Sequence, residues 1–286
     1  MSFRPADSDA GTMRASLIVP AHNEAAVIGD LLSALPGPGL EVIVVCNGCT
    51  DGTATTARSY PGIRVIEIAE ASKAAALDAG DAAAGHPVRV YIDADVRITG
   101  ADITRLLGAL GGPVLVAAPS RHLHLARSAP AVRWYYDVWQ RLPNVGSGVF
   151  GRGVTAFSAA GHARLRSLPR VMSDDLLASE AFAPDERAVV ATARVHVEAP
   201  RSYPDLLRRR VRVVTGNQQL DGMQLRTGGA KTSPAALARI ATASPLMPAK
   251  VAHFLLTTAI ARAWAAARGI HGTSGQWLRD ESSRQR

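Results

Sequence analysis

Short apolar runs rich in β-branched residues alternate with amphipathic stretches through the first third of the chain. ASLIVP (15–20), LEVIVVC (40–46), IRVIEI (63–68) and VRVYI (88–92) are each bounded by turn residues and read as strands. Helical patterns fill the intervals at Glu24–Leu35, Thr53–Ser59 and Ser72–Ala84. This alternation predicts βαβ units and an α/β fold with a mostly parallel sheet. Right-handed crossovers then place the carboxyl ends of all four strands on one edge, outside which ligands of open α/β sheets bind. Three polar segments fall on that edge: Pro20–Glu24, Asn47–Asp51 and Asp93–Asp95.

Beyond residue 112 the alternation ends. RWYYDVWQRL (133–142) predicts an aromatic helix, NVGSGVFGRG (144–153) a glycine-rich loop and VTAFSA (154–159) a strand. VMSDDLLASEAF (171–182) opens a helix with Ser173 as its N-cap. RAVVATARVHVEA (187–199) suggests one or two strands, and YPDLLRRRVRVVTGNQQL (203–220) a basic helix. The remainder reads as helical, with a polar tail after Gly272. The expected organisation is a disordered tail over 1–14, one α/β domain over 15–220 and a C-terminal helical extension over 221–286.

Hydrophobic residues make up 47% of the chain and charged ones 20%, enough for a sizeable core. The net charge of +8 favours anionic partners. Only Lys73, Lys231 and Lys250 among the 32 basic residues are lysines, and no aromatics interleave with the basic residues as single-strand binders require. Nucleic acid is therefore not an expected partner. The longest apolar run, Val251–Ala261, lies between Lys250 and Arg262 and falls short of the roughly 20 residues that span a bilayer. It reads as a core helix, with a place in a membrane interface as the alternative. The first 14 residues carry no secretory pattern. With no run long enough to span a bilayer, the expected location is cytoplasmic, with peripheral contact at the inner face of the cell membrane as the variant of that expectation. Cys46 and Cys49 form a CxxC with no second pair, and read as small packing residues in a strand-to-helix turn.

The turn after the first strand, PAHNEA, lacks GxGxxG, and no GxxxxGK[ST] occurs, which disfavours a dinucleotide fold and excludes a P-loop. A phosphate-bearing ligand would then need another counter-charge. Asp93 and Asp95, one residue apart where a strand ends, are suited to Mg²⁺ or Mn²⁺, because hard divalent cations take carboxylate oxygens and bridge to phosphates. A surface turn would also account for them.

The order SLIVPAHNEAAVIGDLL, VIVVCNGCTDGTA, SKAAALDAG, VYIDADVRI and SDDLLASEAF resembles the family-two glycosyltransferases of the GT-A fold, over residues 15–220. The resemblance implies a Rossmann-like sheet flanked by helices and a nucleotide-diphosphate sugar donor, with UDP-sugars favoured. It further implies a divalent cation, Mn²⁺ or Mg²⁺, and inverting transfer to a hydroxyl acceptor that is lipid-linked, a glycan or a secondary metabolite. Asp93, Ala94 and Asp95 match the DxD that holds metal against the donor diphosphate. Pro20, His22, Asn23 and Glu24 match the segment that contacts the nucleoside. Asn47 stands where an Asp usually meets the base, Cys46 replaces another Asp, and Asp51 retains its match. Lys73 resembles the lysine that approaches the nucleotide or its phosphates, while Asp78 departs from the usual Asn.

Asp174 and Asp175 match the family's acidic pair, with Asp175 as general base. Gly146, Ser147 and Gly148 resemble the loop near donor sugar and acceptor. Arg212 matches a residue that contacts diphosphate or acceptor, and Val213 replaces the usual Trp, which argues against a processive, polymer-making enzyme. Each match has a structural reading beside it: Glu24 as a first-turn acid facing a helix dipole, Asp51 as an N-cap, the Asp pair as acids at a helix start. The rival functions are a nucleotidyltransferase and a non-catalytic nucleotide-sugar binder.

One motif stands outside the resemblance. His122 and His124 form a His-x-His whose strand-like alternation would put both rings on one side, as a metal site wants. Neither has an acidic neighbour in sequence, and His196 would have to supply a third ligand from a late strand.

Overall fold

The computed structural model describes residues 13–169, 174–225 and 232–270. Residues 1–12, Ser173 and the stretch after Gly272 lie outside the described residues, and with them the tail and N-cap expectations.

β1 (Ala15–Ala21), β2 (Leu40–Asn47), β3 (Ile63–Ile68) and β4 (Arg89–Ile92) pair in parallel in the order β3-β2-β1-β4. β1 is buried along its whole length, as a central strand covered on both faces must be. Its alternate residues feed two cores: Leu17 and Val19 pack on one side of the sheet, Ile18 on the other with Ile43, Val45 and Leu77. The crossovers are α1 (Ile28–Ala34), α2 (Thr53–Arg58) and α3 (Lys73–Ala83). α3 begins at Ser72, whose hydroxyl accepts from Ala75 N at 3.2 Å. α3 also lies close on β1, where a side chain at Gly80 would meet Ile18 at 2.4 Å.

The sheet continues through elements that the sequence pattern does not announce. After β5 (Val96–Arg97) and α4 (Gly100–Gly108) comes β6 (Val116–His124), a nine-residue strand containing Pro119. α5 (Pro130–Trp139) is the expected aromatic helix. The stretch read as a glycine-rich loop begins instead as a short helix, α6 (Pro143–Ser147). Its Ser147 hydroxyl donates to Pro143 O at 3.1 Å, and Gly148 N–H closes on Asn144 O at 3.0 Å.

β7 (Val154–Phe157), α7 (Ala159–Arg166), α8 (Asp174–Glu180) and β8 (Arg187–Glu198) follow. β7 is antiparallel to both β4 and β6, and β6 is parallel to β8. β6 and β8 therefore point the same way as β1–β4, and the full order is β3-β2-β1-β4-β7-β6-β8-β5. A bulge at Pro119/Ser120 absorbs the proline, which cannot donate to the ladder.

The chain closes with α9 (Tyr203–Gly222), α10 (Pro234–Ala241) and α11 (Met247–Ile270). α11 docks on α5 and α9: Phe254 stacks on Tyr135 at 4.9 Å, His253 Nε2 meets Ala131 O at 2.9 Å, and Lys250 pairs with Asp137 at 2.5 Å. Val251–Ala261 thus lies inside a helix with one buried face, formed by Val251, Phe254, Thr257 and Ala261. Among the described residues no helix is long and apolar enough to cross a membrane.

Candidate active site

β4 delivers its last buried residue, Ile92, to the carboxyl edge, and the chain turns there. Asp93 N–H donates to Gly153 O at 2.7 Å, which anchors the turn to the start of β7. Gly153 has φ +67°, and a Cβ there would meet Val96 Cγ1 at 2.5 Å and Asp93 Oδ2 at 3.2 Å. Only glycine suits both the backbone and the space. Lys73, the first residue of α3, reaches across so that Nζ donates to Asp93 Oδ1 at 2.8 Å. This pair stays partly solvated, its side chains 26% and 40% exposed. Asp95 sits in the same turn, half-buried, while Ala94 between them is buried and offers the site backbone only.

Asp175 approaches from the start of α8. Its Oδ2 accepts from Gly151 N at 2.7 Å and its Oδ1 from Leu176 N at 2.8 Å. Each carboxylate oxygen keeps a second lone pair. Asp174 opens the same helix, its side chain outside the described ones. Pro20, Lys73, Asp93 and Asp175, drawn from four separate segments, line one open pocket together with Tyr91, Gly153 and Thr155.

Beside this pocket the loops after β1 and β2 interlock. Asn23 adopts φ 53°, tolerable for Asn because its side chain bonds locally: Oδ1 accepts from Thr50 N at 2.8 Å and Nδ2 donates to Thr50 Oγ1 at 3.2 Å. His22 Nδ1 lies 2.6 Å from Asn47 O. Glu24 is buried and precedes α1 by a turn, so it is not the first-turn acid of a helix beginning at Glu24. Its carbonyl instead accepts from Ile28 N at 2.9 Å, and its N–H donates to Thr53 Oγ1 at 2.8 Å.

Asp51 is one residue short of the N-cap of α2, which is Gly52. Its Oδ1 accepts from Thr53 N at 3.0 Å and Oδ2 from Ala25 N at 3.2 Å, tying the two loops together. Asn47 is buried, and with its amide oriented to satisfy both neighbours it donates to Ala21 O at 2.8 Å and accepts from Ser72 N at 3.2 Å. An aspartate could not make the first of these bonds. Cys46 and Cys49 are free thiols. Cys46 faces the core, where burial, reinforced by Cys49, pushes its pKa up to about 12, and Cys49 Sγ bonds Ala21 O at 3.3 Å.

Gly146 and Gly148 do not line the pocket among the described residues; their carbonyls accept from Arg152 at 2.8 and 3.0 Å. Arg152 is buried and also holds Pro119 O and Val145 O, so it fixes the whole 143–153 segment. Arg121 lies over Trp139 at 4.2 Å and donates to Gly151 O at 3.0 Å. Arg212 lies on α9, outside the pocket lining. Gly153, Arg152 and Gly151 escape a reading of the sequence, although the GRG immediately before a strand is the signal that could have found them.

A mostly parallel sheet with a DxD turn on its carboxyl edge and a second acidic residue across the pocket defines a protein of the GT-A type. The structure of a mannosyltransferase from Pyrobaculum calidifontis in complex with GDP-Man and Mn²⁺ matches this fold with a TM-score of 0.59. That match has 22% sequence identity and covers 91% of this chain and 85% of that one. Uncharacterized glycosyltransferases of Mycobacterium tuberculosis and Mycobacterium bovis are 33% identical to this chain over 136 residues, 45% of its length. The match spans 62% of the length of those relatives. The family model for glycosyl transferase family 2 matches residues 16–158, half of the chain. The chain belongs to glycosyl transferase family 2.

Proposed function

We propose that this protein is an inverting glycosyltransferase that moves a sugar from a nucleotide-diphosphate donor to a hydroxyl acceptor. UDP-sugars are favoured and GDP-sugars are the alternative. The observation that carries the reading is the convergence of Lys73, Asp93 and Asp175 on one pocket at the carboxyl edge. Asp93 and Asp95 offer the hard oxygen donors that Mn²⁺ or Mg²⁺ takes, and Asp93 is solvated enough to be reached. A cation bound there supplies Lewis-acid stabilisation of the departing diphosphate.

The chain's own residues do the rest. Lys73 adds positive charge beside the diphosphate. The interlocked loops of His22, Asn23, Glu24, Asn47 and Asp51 form the nucleoside wall, with Asn47 and Asp51 shaping it from behind. Asp175, aimed by two backbone N–H donors, takes the proton of the acceptor hydroxyl. That oxygen then bonds the anomeric carbon as the carbon–oxygen bond to the diphosphate breaks.

The test is sugar transfer, and donor hydrolysis, measured with UDP- and GDP-sugars with and without Mn²⁺. Asp175→Asn should lower kcat by about 10²–10⁴ while donor binding persists. Asp93→Ala should abolish the metal response. Wild-type turnover retained in both variants would overturn the reading.

A further inference from the structure

We propose that His122, His124 and His196 form a second metal site, for a borderline-soft divalent ion such as Zn²⁺, separate in its ligands from Asp93 and Asp95. His122 and His124 alternate along β6, and His196 on β8 is the direct register partner of His122. Alternation puts all three rings on one face of the sheet, opposite the buried Leu123, Val195 and Val197. The ring centroids lie 4.8, 5.1 and 5.3 Å apart. His124 Nε2 and His196 Nδ1 are 2.9 Å apart, and one nitrogen from each of the three rings falls within 4.8 Å of the others. Zn–N bonds of about 2.0–2.1 Å set imidazole nitrogens roughly 3.3 Å apart in a tetrahedron, so small ring rotations bring the three onto one ion.

The donor set decides the ion. Three neutral imidazoles with an open position suit Zn²⁺, Cu²⁺ or Ni²⁺, whereas carboxylates suit Mg²⁺ and Mn²⁺. Glu198, the register partner of His124, lies on the same face and pairs with Arg97 at 2.7 Å, which leaves the trio as the principal donors. An ion held there would staple β6 to β8. β8 also pairs with β5, which follows Asp95 directly, so the staple would stiffen the strand leading out of the DxD turn.

The experiment uses tag-free, chelator-stripped full chain titrated calorimetrically with ZnCl₂, with Co²⁺ absorption as the spectroscopic signature of tetrahedral nitrogen coordination. One Zn²⁺ per chain is expected, together with a raised Tm. The site should persist in Asp93→Asn/Asp95→Asn and weaken by about 100-fold or more in His122→Ala/His196→Ala. His122→Asn, which alters only the most exposed ring, should weaken binding by at least about tenfold without changing the metal-free melting temperature. Absence of saturable binding, survival of binding without the histidines, or its loss with the aspartates would each overturn the proposal. Transfer measured with Mn²⁺ reads the aspartate pair by itself, so failure of one site is distinguishable from failure of the other.

Discussion

Asn47 makes its case at the scale of a single side chain. It donates to the carbonyl that ends β1, a bond a carboxylate in its place could not make. The amide is therefore part of what joins β1, β2 and the start of α3. Gly153 is a second such residue. Its φ of +67° and the 2.5 Å approach of Val96 leave no place for a methyl group. Gly153→Ala should cost about 1–3 kcal/mol of stability from backbone strain. It should also displace Asp93, seen as a larger loss in metal-dependent turnover than in the unfolding midpoint. A variant with wild-type turnover would show that the turn tolerates the shift.

Between elements, one buried carboxylate fastens the strand that carries the DxD. Asp81 on α3 meets Arg89 Nε at 3.3 Å and Tyr91 OH at 2.7 Å, both on β4. It also meets His162 Nε2 at 3.1 Å and Arg166 at 3.3 Å, both on α7. Burial alone would raise the Asp81 pKa, but hydrogen bonds with His162 and Tyr91 and the nearby charges outweigh it and hold it below its ordinary 3.8. A depressed carboxylate stabilises the fold above its unfolded value, and that contribution is lost as pH falls through the folded one. Asp81→Asn should destabilise by about 3–5 kcal/mol at pH 7, because it strands a buried arginine. The gap to wild type in urea midpoint should close as pH drops below 3.8. A gap that stays constant with pH would refute the linkage.

The first four strands and their crossovers were legible because their apolar runs are continuous and their turns distinct. β6 was not, because Pro119, Ser120, Arg121 and the histidines break its pattern; pairing with β7 and β8 overrides propensity there. In the candidate site, the DxD position at the end of β4 and the pocket position of Lys73 could be read. The anchoring of Asp175 by Gly151 N–H could not, since it depends on a loop whose shape Arg152 sets from inside.

Across the whole molecule, α11 is apolar on two sides. One side is buried against α5 and α9, while Leu255, Leu256, Ile260 and Trp264 remain 37–58% exposed, with Arg262 and Arg268 on the same helix. We propose that this outer face rests on an anionic membrane surface, which would bring a lipid-linked acceptor to the protein. Co-sedimentation with vesicles containing anionic lipid should retain wild type. Leu256→Glu/Ile260→Glu should lose about tenfold or more in partitioning, since each buried aliphatic side chain contributes about 1.5–3 kcal/mol. Equal partitioning of the two, or none by wild type, would remove the membrane from the picture.

β7 runs against both its neighbours, so its leading end, not its trailing end, meets Asp93. The segment before it, 143–153, therefore enters the pocket rim from outside the βαβ series, braced by Arg152 and touching Asp175 through Gly151. The two halves of the pocket thus come from independent stretches of chain. Under the proposed function, substitutions in this segment should change acceptor use before they change donor binding.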